Sequence, residues 1–280
     1  MMRYYLISRY FFAMSWLFLC ALPLLATDNP WTLLKRVPIK GFACASGTRN
    51  AQLVLADAQG LVTMYDTLGL LQQQLSTEVA AKPSGIEAWN SLQIMLFFSD
   101  LQKIIYADRF LLAAPTIDLP SSCVGLARVA TSAPDNNIWL IDDNDFSLKK
   151  VNLAEERILL QVPLNSVLSR KNTYNFCHIR EYQHHVYLAD KTHGVFVFDN
   201  MGNYRKQMPF INGNLYGFAN DELYYWDEKN QTINFFHLYS LAEKKIAIPQ
   251  EAKEISYFFL NGKYAAFVTK TEILFYKKNP

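Results

Sequence analysis

Apolar residues in this chain arrive in short runs, and the segment 185–199, HVYLADKTHGVFVFD, shows the unit. Two stretches of aliphatic and aromatic residues, 186–189 and 195–198, each close with an aspartate, Asp190 and Asp199. Lys-Thr-His-Gly lies between them, a short glycine-bearing connector suited to a tight antiparallel hairpin. Runs of this length, rich in β-branched and aromatic side chains and bounded by turn residues, predict strands. Almost no stretch sustains a helical apolar period, so a β protein is expected.

The unit recurs. Aligned on the aspartate closing the first run, the copies read Leu53-Val-Leu-Ala-Asp57, Leu96-Phe-Phe-Ser-Asp100, Ile138-Trp-Leu-Ile-Asp142, Val186-Tyr-Leu-Ala-Asp190 and Leu223-Tyr-Tyr-Trp-Asp227. A sixth, Ala266-Phe-Val-Thr-Lys270, lacks the aspartate, and the steps are 43, 42, 48, 37 and 43 residues. Each copy is preceded by another strand (42–47, 85–90, 125–132, 176–181, 215–219, 255–260) and followed by a third (61–65, 103–107, 147–151, 194–198, 232–236, 272–276). Five have a fourth, at 70–75, 111–119, 158–163, 204–210 and 244–248. Four short strands in such a repeat match the period of a β-propeller blade, whereas a solenoid would need shorter repeats or helices.

The pattern therefore predicts an all-β, six-bladed β-propeller of four-stranded antiparallel blades. The sixth copy runs out after three strands, and 31–39, WTLLKRVPI, is a strand without a blade of its own. Joining the two completes blade six, closes the ring and removes the open sheet edges. Residues 27–280 are expected to form this single domain, large enough to need no cofactor to hold it. The hairpin aspartates are expected to cap turn amides, because they belong to different blades and have no common focus.

Pro83-Ser84-Gly85-Ile86 opens the second copy with a proline, a small residue, a glycine and an apolar residue. Second and third strands follow in which apolar positions alternate toward a closing aspartate. In these features the chain resembles the six-bladed propellers of the NHL-like and TolB-like repeat group, over most of 42–276. The resemblance implies a platform for binding partners, with catalysis in a minority of relatives. Tyr225-Trp226-Asp227 looks like a WD dipeptide, yet it ends a second strand and no Gly-His partner recurs. The S-x-D-x-G-x-T-W box of sialidase-like propellers is absent, and no metal-binding acidic set of the lactonase-like kind can be identified.

Residues 1–26 stand apart from the repeat. Arg3 and Arg9 precede an apolar run at 11–25, and Ala26 stands before Thr-Asp-Asn-Pro. This reads as a secretory signal peptide cut after Ala26, which would send the domain to the periplasm or the extracellular space. The alternative is an uncleaved membrane anchor through 10–27. Lipidation at Cys20 fits less well, since the residue before it, Leu19, is large. Two of the 27 basic residues and none of the 25 acidic ones lie in this leader, so the domain is formally neutral. It has no electrostatic reason to bind nucleic acid or acidic lipid, and no insertion in a membrane is expected beyond the leader. Cys44, Cys123 and Cys177 are odd in number and far apart, which suggests buried thiols rather than a disulfide framework. No zinc-type spacing is present, and the domain is expected to be monomeric.

Candidate chemistry is sparse. First strands line a propeller's channel, so their polar residues Glu87, Trp89, Arg128, His178, Arg180 and Glu181 are the ones to weigh. Glu87 and His178 have the types of an acid/base pair, with Arg128 or Arg180 to hold an anion; a hydrated channel of paired charges uses the same residues. His184 and His185 would point to opposite faces of a strand and cannot clamp a metal together. The 48-residue step comes from an enlarged loop at 165–175, NSVLSRKNTYN, whose Arg170, Lys171 and Tyr174 are candidate partner-binding residues. Insertions there are also cheaply tolerated. Asn230-Gln231-Thr232 is a glycosylation sequon, meaningful only in a eukaryotic secretory pathway. The expectation is an exported, non-catalytic propeller that binds a protein or envelope component through one rim. The alternative is a small-ligand binder or a hydrolase or lyase using the channel.

Overall fold

A computed structural model describes residues 30–279 apart from 91, 170, 210, 212, 214 and 250. The leader expected at 1–26, and Arg170 in the enlarged loop, lie outside the described residues. The chain opens on β1 (Trp31–Pro38). Blade one follows as β2 (Phe42–Gly47), β3 (Leu53–Asp57), β4 (Leu61–Tyr65) and β5 (Leu71–Ser76). Blade two is β6 (Gly85–Glu87), β7 (Gln93–Phe98), β8 (Lys103–Asp108) and β9 (Ala113–Asp118). Blade three is β10 (Ala127–Ser132), β11 (Ile138–Asp142), β12 (Ser147–Asn152) and β13 (Arg157–Pro163), and it is followed by a short 3-10 turn, Leu164–Ser166. Blade four is β14 (Phe176–Tyr182), β15 (His185–Asp190), β16 (Gly194–Asp199) and β17 (Tyr204–Met208). Blade five is β18 (Tyr216–Ala219), β19 (Glu222–Asp227), β20 (Thr232–His237) and β21 (Glu243–Ala247). Blade six takes β22 (Tyr257–Asn261), β23 (Tyr264–Val268) and β24 (Glu272–Lys278), with β1 as its outer strand.

The ring closes as the sequence predicts. β1 pairs antiparallel with β24 from Trp31 opposite Lys278 to Pro38 opposite Glu272, with an irregularity between Leu33 and Lys35. Trp31 is buried, meets the Phe267 ring edge-on at 6.0 Å, and donates its Nε1–H to the Ala247 carbonyl of blade five at 2.8 Å. The closing strand thus holds two blades together. Core side chains gather in six clusters, each between neighbouring blades, because alternate residues of every strand point to opposite faces.

The aspartates do cap turns, in four of the five copies that carry one. Asp57 accepts from the amides of Gln59 and Leu61, Asp190 from those of Asn175, Thr192 and His193, and Asp227 from that of Asn230. Asp142 accepts from the amides of Gly125, Leu126 and Asn144. Asp100 does not follow them. β7 ends at Phe98, two residues earlier than the alignment implies, and the Ser84 hydroxyl accepts from the Ser99 amide instead. In blade six Thr269 takes the aspartate's place, its Oγ1 accepting from the Thr271 and Glu272 amides.

Two sequence expectations need correction. The first strand of blade two was expected at 85–90 but stops at Glu87. Beyond it the Ala88 amide donates to the Ser46 hydroxyl and the Trp89 amide to Glu87 Oε1, which takes the backbone out of the ladder. Trp89 therefore sits in a connection, not on a strand. The thiols are free as expected, but only Cys123 is fully buried; Cys44 and Cys177 are half-buried.

Candidate functional site

Successive strands of a blade run in opposite directions. The first-to-second connections and the third-to-fourth turns therefore share one rim, and the remaining loops share the other. On the first rim, Arg49, Trp89, Asn90, Pro134, Arg180 and Glu181 surround a cavity of about 200 Å³ at the channel mouth.

Arg180 is its centre. The register of β14 against β15 shifts between Phe176 and His178, after which His178, Arg180 and Tyr182 share one face. Arg180 is 9% exposed and reaches toward blade two. Its guanidinium carbon lies 4.7 Å from the centre of the Trp89 ring, 5.5 Å from Phe218 and 6.0 Å from Tyr182. Arg49, exposed on the blade-one connection, places its own guanidinium 5.5 Å from the same Trp89 ring. Two cations thus share one indole. The nearest carboxylate oxygen, Glu87 Oε2, is 3.9 Å from Arg180 Nε, too far for a hydrogen bond. Nε and Nη2 of Arg180 are buried without a hydrogen-bond partner among the described residues.

Glu87 is occupied otherwise: Oε1 accepts from the Trp89 amide at 2.9 Å and Oε2 from the Thr131 hydroxyl at 3.5 Å. Glu181 points to the other face of β14 and accepts from the Trp139 indole at 2.6 Å. Deeper in the channel, His178 Nδ1 lies 3.0 Å from the Tyr216 hydroxyl. Burial, together with the Arg180 charge, outweighs the pull of Glu87 and brings its imidazole down to about 4. His178 is therefore neutral at physiological pH and committed to Tyr216. Glu87 and His178 border the same small cavity of about 30 Å³, which leaves a substrate little room between them.

Arg128 does not join them. It occupies the irregularity between Ala127 and Val129 at the start of β10 and forms an exposed ion pair with Asp143, toward the opposite rim. The enlarged loop at 165–175 also lies on that opposite rim, and it is less free than the sequence suggests. Leu164 and Leu168 are buried, and Tyr174 stacks on Phe176 at 5.6 Å with His193 at 4.9 Å and Phe196 at 5.8 Å. The Tyr174 hydroxyl donates to the Ser169 carbonyl at 3.1 Å. Tyr174 is thus packing for blades three and four, and Lys171 alone of the expected set is described as exposed.

Sequence reasoning missed a set of residues on the Arg180 rim. Third-to-fourth turns in blades one, two and four read Asp66-Thr-Leu-Gly69, Asp108-Arg-Phe-Leu111 and Asp199-Asn-Met-Gly202. Each aspartate accepts from the amides two and four residues on. The last residue of each turn has positive φ: 73° at Gly69, 57° at Leu111 and 82° at Gly202. This geometry turns the third residue outward, and it is apolar every time: Leu68 is 49% exposed, Phe110 51% and Met201 69%. Blade five differs in detail: His237 Nδ1 accepts from the amides of Tyr239 and Ser240, the positive φ falls at Leu241, and Tyr239, 70% exposed, donates its hydroxyl to Gln183 Oε1 at 3.0 Å. The signal was present as an aspartate-x-apolar tip after the third strand.

No family model matches the chain, and no curated protein matches its sequence. Solved structures do match in shape. The Pan2 WD40 domain of Neurospora crassa superposes with a TM-score of 0.60 at 9% identity, over 90% of this chain and 97% of that one. A streptogramin B lyase gives 0.59 at 12%, over 89% and 98%. A catalytically inactive virginiamycin B lyase from Staphylococcus aureus, with quinupristin, gives 0.59 at 9%, over 89% and 100%. At such identities the likeness is one of fold, shared by a WD40 domain and by lyases alike. The chain is a six-bladed β-propeller.

Proposed function

We propose that the protein is an exported, non-catalytic binding module that docks a protein or envelope component on the Arg180 rim, acting as a monomer. The observation that carries this reading is the crown of Leu68, Phe110, Met201 and Tyr239. The turns at Leu68, Phe110 and Met201 are built by an aspartate acceptor and a positive-φ residue and do not themselves require an apolar tip, and Tyr239, held by Gln183, extends the row. Four large side chains presented to water at turns of one rim offer a partner apolar contacts on the same side of the ring as the Arg180 cavity. Covering the part of each that is still exposed would return about 1–2 kcal/mol. Arg49 and Trp89 line the channel mouth on the same rim, and both residue types are common anchors of interfaces. An acid/base role for Glu87 and His178 is disfavoured by their existing partners and by an imidazole held neutral at physiological pH.

The test replaces Leu68, Phe110, Met201 and Tyr239 together by serine and compares native partners recovered with those of Lys171→Ala. Unchanged melting with partners lost only from the crown variant supports the reading. Full recovery by the crown variant, with loss on Lys171→Ala, moves docking to the opposite rim.

A further inference from the structure

We propose that the cavity beside Arg180 is a carboxylate site, taking the acidic side chain or chain terminus of the docked partner, or a free small carboxylic acid. The inference rests on the docking reading for the first source only.

Burying a guanidinium is costly unless its donors are satisfied, and a few buried polar groups left without partners in a native fold call for an explanation. Among the described residues Arg180 has two such nitrogens, Nε and Nη2, and the nearest carboxylate oxygen stays 3.9 Å away. The nitrogens occupy the same edge of the guanidinium, the one that meets a carboxylate with two parallel hydrogen bonds. Arg180 borders the 200 Å³ cavity, which Arg49 also lines. A small swing of the Arg180 side chain off the Trp89 ring brings the orphaned edge onto an anion entering there.

Size and charge select the anion. The cavity is below the usual range for drug-sized ligands, and it suits a group as small as one acidic side chain. Arg49, Arg180, Glu87 and Glu181 sum to zero around it, so a monoanion adds one negative charge. A phosphate dianion would add two beside Glu87. The flat, singly charged carboxylate is favoured on both counts.

The experiment titrates the full chain with N-acetylglycine, a chain-terminus mimic, by calorimetry and tryptophan fluorescence. N-acetylglycinamide and inorganic phosphate are the contrasts. The site predicts saturable binding of N-acetylglycine, no binding of the amide, and phosphate weaker by about tenfold. The fluorescence change should vanish in Trp89→Phe, because Arg180 leaves that ring on binding. Arg180→Lys keeps the charge but loses the fork and should weaken binding about tenfold. Arg49→Gln, at an exposed residue whose loss leaves the fold intact, should weaken it by about threefold. Glu87→Gln removes a competing anion and should strengthen it.

Absence of saturable binding, equal binding of the amide or phosphate, or undiminished binding in both arginine variants would overturn the site. Displacement of a recovered partner by N-acetylglycine assigns the carboxylate to that partner. Binding without displacement assigns it to a free acid. A crown variant that loses its partner but still binds N-acetylglycine separates this site from the docking reading.

Discussion

Replacing Lys149 by methionine should destabilise the domain by about 2–3 kcal/mol, although the ammonium lies far from the candidate site. Lys149 is 4% exposed and Asp142 1%. The Lys149 Nζ donates to Asp142 Oδ2 at 2.7 Å and to the Cys123 carbonyl at 3.2 Å, and it pairs with Asp145 Oδ2 at 2.8 Å. Removing one partner of a buried pair typically costs about 3–5 kcal/mol, and the figure is reduced here because Asp142 keeps three amide donors. The Asp142 carboxyl, which Lys149 and the amides hold together, adds a pH dependence. Burial opposes the Asp142 charge, but the Lys149 ammonium and those amides outweigh it and hold the carboxyl down to about 2, against an ordinary 3.8. That gap is worth about 2 kcal/mol of linkage. A carboxyl lowered in the fold stabilises above its unfolded value, so the contribution is complete above about pH 5 and is lost as pH falls through 4 toward 2. The assay is denaturant unfolding from pH 7 to 2 for wild type, Lys149→Met and Asp142→Asn. The expected result is a lowered midpoint for Lys149→Met at pH 7, and for Asp142→Asn a shallower acid decline than the wild type's, since Asp135, Asp190, Asp199 and Asp227 are also held below their ordinary values. An unchanged midpoint in Lys149→Met, or a parallel acid decline in Asp142→Asn, would refute the reasoning.

Trp31→Ala should cost about 3–5 kcal/mol, read by thermal or denaturant unfolding, because it empties a site between blades five and six and removes the indole donor to the Ala247 carbonyl. Tyr174→Ala should cost about 2–4 kcal/mol through its lost ring stack, while Lys171→Ala should change stability by under about 0.5 kcal/mol; melting curves of the two separate packing from surface. Burial raises the Cys44 thiol to about 12 and the Cys177 thiol to about 11, so both should react slowly with a thiol reagent at pH 8 and readily in denaturant.

The blades were legible because the hairpin repeats: a run of β-formers, a closing aspartate and a short turn fix strand, direction and period together. Closure was legible for a related reason, since an unpaired WTLLKRVPI and a three-stranded sixth blade complete each other. The site was only partly legible. First-strand membership picked out Glu87, Trp89 and Arg180, and the three do meet at one mouth. The same rule grouped Arg128 with them, although the irregularity at Ala127–Val129 and Asp143 place it toward the other rim. It also could not show that Arg180 reaches across to the indole of blade two, a contact set by the ring and not by local pattern. The loop at 165–175 looked like a free surface because length is visible in sequence, whereas the stacking of Tyr174 on Phe176 depends on how blades three and four pack. The exposed turn tips were overlooked because an apolar residue beside a strand resembles part of the strand; only the aspartate's hydrogen bonds and the positive φ reveal that it faces water.

The central claim is that the Arg180 rim is the working surface, and site-specific photocrosslinking in living cells tests it most directly. A photoreactive residue would be placed at Phe110, Met201 or Tyr239, and, as controls on the opposite rim, at Lys171 or Arg128. The account predicts one common adduct from the first three positions, lost when Arg49 and Trp89 are changed to alanine, and none from the controls. The same adduct from Lys171 or Arg128, with none from Phe110, Met201 and Tyr239, would contradict it.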